Sequence, residues 1–437
     1  MTWKRIQLGL IHVAVAMTLV PINSTLNRVM IKELSISALL VGVMAALPYL
    51  FSPIQVAIGS FSDRHPIFGW RRTPYIFIGL LLCVFGVIAA PHVAYKLAEN
   101  RGLGILMGVL VFGAWGMGYN LASVSYFSLA TEISGEKGRS RTIAVMFFMM
   151  IVSIIGTSIT LSKLLEEYNP DKLINSFLIV GLIAFVFGMI GTIGLESRKA
   201  KKEVPEEKEE SQTWGQLYKI ISQNKETVRF LVYLIILLTG VFAQDILLEP
   251  YGAEAFDLEV DKTTFITAIW GTMFLVSLSL GSIFENRVPK LRQAKIGAWG
   301  GIIAFGFIVL SSVMISPIVF YTGVVLLGLA TGLSTVSNLS LMLDMTISGN
   351  IGLFIGVWGM ASALSRLTGN LMSGAVRDIM TKLVGNPIVG YSVVFMIEIG
   401  LLLVSLFLLQ RIDVSLFKKQ VERQMPLIER AAVSSEV

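Results

Sequence analysis

Apolar residues run along this chain in blocks of about twenty, separated by short polar breaks, nearly from end to end. The blocks fall at 8–30, 38–60, 73–94, 103–128, 142–163 and 174–195. After a longer polar interval they resume at 230–250, 263–284, 294–316, 318–343, 352–376 and 388–410. About 20 apolar residues suffice to cross a bilayer as a helix. An open strand would leave backbone N–H and C=O groups unpaired in lipid. The pattern therefore predicts an all-α membrane protein of twelve transmembrane helices. No small-residue cleavage site follows Lys4 and Arg5, so the first block reads as an uncleaved span rather than a signal peptide.

The longer interval divides the chain. We expect a six-helix half over 1–195, a linker over 196–229, a second six-helix half over 230–410 and a tail over 411–437. From Arg198 to Glu210 the linker is nearly all charge and should be solvated. Beyond it Trp214, Leu217, Ile220 and Ile221 recur at helical spacing, which fits either a short amphipathic helix on the membrane surface or a solvated linker with a few apolar residues.

A repeat relates the two halves. Gly118 to Gly135 in span four and Gly332 to Gly349 in span ten both begin with Gly, end in Ile-Ser-Gly and share Ser and Leu positions. Gly59-Ser-Phe-Ser-Asp63-Arg64 after span two is echoed by Gly281-Ser-Ile-Phe-Glu285-Asn286-Arg287 after span eight. Both pairs are related by a shift of six helices, the parallel-repeat layout of major facilitator transporters. The segment from Gly59 through Asp63 and Arg64 to Arg71 and Arg72 resembles that superfamily's loop signature, with about four extra residues before the basic pair. We read Gly59, Asp63, Arg64, Arg71, Arg72, Gly281 and Arg287 as a gating loop. Gly59 would permit close helix approach, and Asp63 would latch to a neighbouring helix N-terminus or an Arg. The plainer alternative is a set of loop charges that only fix topology.

Composition adds what is excluded. Mean hydropathy is +0.74 and only 15% of residues are charged, well below the charged share of a soluble domain. The net charge of +6 is not a nucleic-acid signal, because the basic residues sit in loops between apolar runs. The single cysteine, Cys83, forms no internal disulfide, and no metal-ligand spacing exists. No phosphate-binding Gly loop, Walker lysine or nucleophile elbow is present, so neither an enzyme nor ATP-driven transport is expected.

Ionisable groups inside spans are costly and are functional suspects. Span seven carries Gln244, Asp245, Glu249, Pro250, Tyr251 and Gly252. Asp245 and Glu249 are four apart and would share a helix face. Pro250 frees a carbonyl one turn earlier. Span one carries Asn23, Asn27 and Arg28. The offset of 222 residues that maps Gly59 onto Gly281 also maps Asn27 onto Glu249, which makes Arg28 the expected partner of Glu249 or Asp245. The alternative is that these groups surface at the non-cytoplasmic interface. His12 in span one is either an interior histidine or a ligand, and Arg366 in span eleven needs an acceptor or a snorkelling route. Met146, Met149 and Met150, with Phe147 and Phe148, read as helix packing or lipid contact.

The run from Gln244 to Gly252 resembles the signature of the PucC/LhaA bacteriochlorophyll delivery family within the major facilitator superfamily. Leu26 to Met30, Gly69 to Ile76 and Gly356 to Gly359 fit it as well. The resemblance implies a factor for assembling light-harvesting or photosystem complexes in a thylakoid or inner membrane. Its partners would be chlorophyll-binding membrane proteins, and it would hold chlorophyll or bacteriochlorophyll as a transient ligand. The wording around Asp63 to Pro66 and Ser362 to Arg366 looks closer to cyanobacterial members, which would favour chlorophyll. Glu249, Gln244, Asn27 or His12 could offer a ligand atom to the pigment's magnesium. Two other classes stay open: a proton-coupled small-solute transporter with Asp245 or Glu249 as proton carrier, and an assembly chaperone that carries nothing.

With the N-terminus in the cytoplasm, about 25 of the 35 Lys and Arg residues fall in cytoplasmic segments and about 9 in the opposite loops, as the positive-inside rule requires. A reporter fused after Val437 should therefore be active on the cytoplasmic side; activity only on the far side would reverse the topology.

Overall fold

The computed structural model describes residues 2–197, 225–284, 287–344 and 351–412. The amphipathic stretch expected at 214–221 and the C-terminal tail lie outside the described residues. Among these residues ten helices are long and apolar enough to cross a membrane. Ala38–Leu50 and Ile54–Arg64, set end to end, make another crossing, and Ile351–Val384 makes one more. In chain order the spans are Thr2–Glu33, 38–64, Thr73–Glu99, Arg101–Gly135, Arg141–Leu164 and Pro170–Thr192. They continue as 225–256, Val260–Ile283, Lys290–Met314, Pro317–Asp344, Ile351–Val384 and Pro387–Leu409. The apolar blocks of the sequence and these helices coincide span by span. Below, the face at which span one begins is called the proximal face and the other the distal face.

Helix ends follow ordinary chemistry. The Asn100 side chain accepts from Leu103 N–H to open span four, Asn169 does the same for Lys172 at span six, and Asn386 for Ile388 at span twelve. Spans four and five are two helices, and the chain turns between them at Gly135, where the backbone leaves helical geometry. Its φ of +62° suits glycine and little else. Gly135 is the last residue of the first repeat motif; its counterpart Gly349 lies outside the described residues.

The leading glycines of that motif are points of close approach. A Cβ at Gly118 would lie 2.6 Å from the Gly79 carbonyl oxygen of span three. A Cβ at Gly332 would lie 2.3 Å from the Phe274 carbonyl oxygen of span eight. The repeat thus preserves tight packing but not the partner.

At the distal face the two halves are joined. The Asp378 carboxylate of span eleven accepts from the Ser37 hydroxyl at 2.6 Å and from the backbone N–H groups of Ala38 and Leu39 at 3.2 and 3.0 Å, capping span two. Arg377 donates to the same carboxylate at 3.0 Å and lies over the Tyr391 ring. Lys32 of span one pairs with Glu254 of span seven at 3.3 Å. Ser158 of span five donates to the Thr264 carbonyl of span eight at 2.5 Å.

At the proximal face Arg64 is exposed, and the expected latch of Asp63 falls on a side chain outside the described residues. Arg72 is buried, donates to Ser62 at 2.7 Å and approaches Glu132 at 3.4 Å. Arg71 reaches the same Glu132 at 3.8 Å. Glu196 accepts from the N–H groups of Arg71, Arg72 and Thr73, with the last at 2.7 Å. These contacts tie spans two, three and four and the end of span six to one another. On the repeat side Gly281 closes onto Val336 and Leu333, and exposed Arg287 lies 6.0 Å from the Phe284 ring.

Gly118→Ala should lower thermal stability in detergent by about 1–3 kcal/mol, the usual cost of overpacking. Gly306→Ala, where nothing lies within 4 Å, should be neutral. Equal effects would show that the glycine contact carries no packing constraint.

Candidate functional site

The residues singled out in spans one and seven sit where both helices lose regular geometry. Span one passes through π-helical turns at Pro21–Leu26 and Val29–Glu33. Span seven stops at Phe242, makes a 3₁₀ turn over Ala243–Ile246 and restarts as Leu248–Phe256. The 222-residue offset carries Pro21–Ser24 onto Ala243–Ile246, so the irregularity is part of the repeat. Pro21, which lacks an N–H, accounts for the first break. In span seven the break precedes Pro250, and that proline stands in the first turn of the new helix, where its missing donor costs nothing.

This break separates two carboxylates that the four-residue spacing would put on one face. Asp245 pairs with Arg366 of span eleven, Nη1 to Oδ2 at 2.5 Å, and accepts from the Gln244 side chain at 2.9 Å. The Arg366 guanidinium lies 3.5 Å from the Phe242 ring centroid and 5.7 Å from that of Tyr49. Asp245 and Arg366 keep 27% and 29% of their side-chain surface accessible, although both lie in the middle of spans. Span eleven's arginine thus has the acceptor that the sequence demanded.

Glu249 takes a different environment. It is 4% exposed. Its Oε1 accepts from the Ser24 hydroxyl of span one and from the Thr267 hydroxyl of span eight, the latter at 2.7 Å. Ser24 and Thr267 lie 3.2 Å apart, and Thr25 and Thr264 repeat the contact one step on at 3.2 Å. Glu249 Oε2 is buried without a partner.

The expected pairing of Arg28 with Glu249 or Asp245 is not formed. Arg28 pairs with Glu33 of its own segment and donates to the Leu258 carbonyl at 3.0 Å. The π-helical turns bring Glu33 within reach, and a local acid is met before a distant one. Asn27 is buried, donates to the Asn23 carbonyl at 2.8 Å and keeps Oδ1 unpartnered.

Tyr251 is structural rather than ligand-facing. Its hydroxyl donates to the Ile308 carbonyl at 2.7 Å, and its ring packs against Phe256, Phe320, Tyr391 and Phe395. His12 stands apart in the first half. It is 5% exposed, lies 5.1–5.4 Å from the Tyr126, Phe127 and Phe147 rings, and its Nδ1 has no partner. Phe147, read as packing or lipid contact, is one wall of that cage, while Met146 is buried in the core.

Three residues escape the sequence reading. Ser24 and Thr267 carry Glu249 but look ordinary in a membrane helix. Glu398, alone in the apolar run of span twelve, is fully buried with both carboxylate oxygens unpartnered. Its backbone lies against Gly240 of span seven. A charge in the middle of an apolar block was the available signal.

A family model described as PUCC protein matches residues 25–417. The chain belongs to the PUCC protein family. It is 30% identical over 419 residues to "Protein PucC" of Cereibacter sphaeroides, covering 93% of this chain and 91% of that one. It is 26% identical over 389 residues to the "Bacteriochlorophyll synthase 44.5 kDa chain" of Rhodobacter capsulatus, covering 86% of this chain and 88% of that one. Among solved structures it is similar to a bacterial homolog of the human lysosomal transporter Spinster in an inward-facing, unoccupied conformation. The TM-score is 0.73 at 12% identity, covering 96% of this chain and 98% of that chain. That likeness establishes the major facilitator fold. These comparisons give no support to the cyanobacterial leaning read from residues 63–66 and 362–366.

If Asp245 and Arg366 act as a pair, removing either alone leaves an uncompensated charge. Arg366→Gln or Asp245→Asn should then cost about 3 kcal/mol, the low end for buried pairs because both groups are partly accessible. The double variant should recover most of that loss in thermal unfolding. Additive losses would mean that the two groups are not coupled.

Proposed function

We propose that this protein is an assembly factor for chlorophyll-binding complexes of a photosynthetic membrane. In this reading it holds a chlorophyll or bacteriochlorophyll transiently, passes it to chlorophyll-binding membrane proteins and performs no chemistry on it. Membership in the PUCC protein family and a relative named for bacteriochlorophyll synthesis support the pigment class. The observation that carries the reading is the Asp245–Arg366 pair, accessible in mid-membrane and faced by Phe242 and Tyr49. A partly accessible, charge-compensated polar pair flanked by two aromatic rings suits contact with a flat apolar macrocycle that carries a few polar substituents. His12, in the first half and apart from that pair, is a second candidate contact, as a ligand for the pigment's magnesium: a buried imidazole with an unpartnered nitrogen among three rings. With only 3 histidines in the chain, transient loading fits better than a permanent antenna.

Gentle purification from the native membrane should yield the protein with a red-absorbing pigment and with chlorophyll-binding proteins. His12→Leu should reduce bound pigment about tenfold at equal protein yield. Deleting the gene should deplete the pigment-protein complexes. Pigment-free protein together with normal complexes in the deletion strain would overturn the proposal. Pigment-free protein with depleted complexes would leave the assembly role and reject pigment binding.

A further inference from the structure

Among the described residues no cation pairs with Glu249, the buried carboxylate of the span-one and span-seven junction: Arg28 pairs with Glu33, Lys32 with Glu254, and Arg366 with Asp245. One carboxylate oxygen takes two hydroxyl hydrogens, from Ser24 and Thr267. Those hydroxyl oxygens keep lone pairs free, and Glu249 Oε2 has no partner at all. Asn27, three residues beyond Ser24 and directly after its π-helical turn, holds a second unpartnered carbonyl oxygen, Oδ1. Both side chains are more than nine-tenths buried. Burying such oxygens without partners is costly, and the cost is offset only by something that accepts their lone pairs.

We infer that the junction of spans one, seven and eight is a binding site for a monovalent alkali cation, sodium being the ion to test, with Glu249 as its charged ligand and Ser24, Thr267 and Asn27 supplying neutral oxygens. The charge count selects the valence: one uncompensated carboxylate balances one positive charge, whereas calcium and magnesium sites use more carboxylates or retained water. The backbone selects the place. Broken membrane helices offer backbone and side-chain oxygens that a regular helix keeps for itself, and such breaks are where transporter folds hold coupling ions. The site joins both halves, since Ser24 and Asn27 belong to span one and Glu249 and Thr267 to spans seven and eight. An ion there would strengthen the distal closure. The inference does not rest on the pigment reading, and its readout is separate from any pigment spectrum.

The test is thermal unfolding of the purified full chain in detergent, titrated with NaCl against choline chloride at constant ionic strength, with direct binding of radioactive sodium. We expect a saturable rise of a few degrees with sodium that choline does not reproduce. Thr267→Val and Asn27→Ala should weaken sodium affinity about tenfold, and Glu249→Gln should abolish the shift. Because Glu249→Gln could disturb folding, Thr267→Val, which keeps shape and carboxylate, serves as the second variant. A shift that is the same for sodium and choline overturns the site. So does one that depends on pH but not on sodium, since the proton would then be the only cation. A sodium shift that survives in both Glu249→Gln and Thr267→Val would place the ion elsewhere and equally overturn it.

Discussion

In the hydrocarbon core a polar group has no water to fall back on, so every donor, acceptor and charge must find its partner within the protein. That constraint organises this molecule. Regular helices satisfy their own backbones, and over most of the twelve spans nothing else is needed. Where spans one and seven depart from the regular helix, the neighbouring spans supply hydroxyls, amides and charges. Polar chemistry is therefore concentrated at those two breaks and at the helix ends.

The same constraint sorts the charged residues. Arg366 lies inside an apolar block and is tolerable because Asp245 meets it and two rings flank it. Asp378 is spent on the N-terminus of span two, where backbone N–H groups would otherwise go unpaired. Glu249 and Glu398 stand out because the described residues give them no cation.

The architecture was legible from the spacing of apolar blocks, because membrane thickness translates directly into segment length. The depth match between spans one and seven was legible from the repeat offset: Ser24 does meet Glu249, three residues from the predicted Asn27. The pairing itself was not. Assigning Arg28 to Glu249 assumes regular helices, and the π-helical turns of span one turn Arg28 toward Glu33. Placing Asp245 and Glu249 on one face fails for the same reason, because Asp245 lies in a 3₁₀ turn and Glu249 in the helix that restarts after it. Periodicity arguments lose their footing at a break, which is also where the chemistry gathers. Tyr251 belongs to the span-seven motif, but a motif does not say whether a residue faces a cavity or, as here, the packing behind it.

The short helix Leu248–Phe256 has two unequal sides. Tyr251 fastens it to spans nine, ten and twelve through a buried hydroxyl and three aromatic rings. Glu249 and Glu254 hold it to span one through one hydroxyl contact and one ion pair. If the two six-helix bodies ever swing apart, this helix travels with the second, and the fracture runs between Ser24 and Glu249. Opening the distal side would then expose the Glu249 carboxylate, still held by Thr267, to the medium beyond it, while the aromatic anchorage stays intact. The seam between the halves at this helix thus runs through polar contacts, Ser24 with Glu249 and Lys32 with Glu254, rather than through its apolar packing.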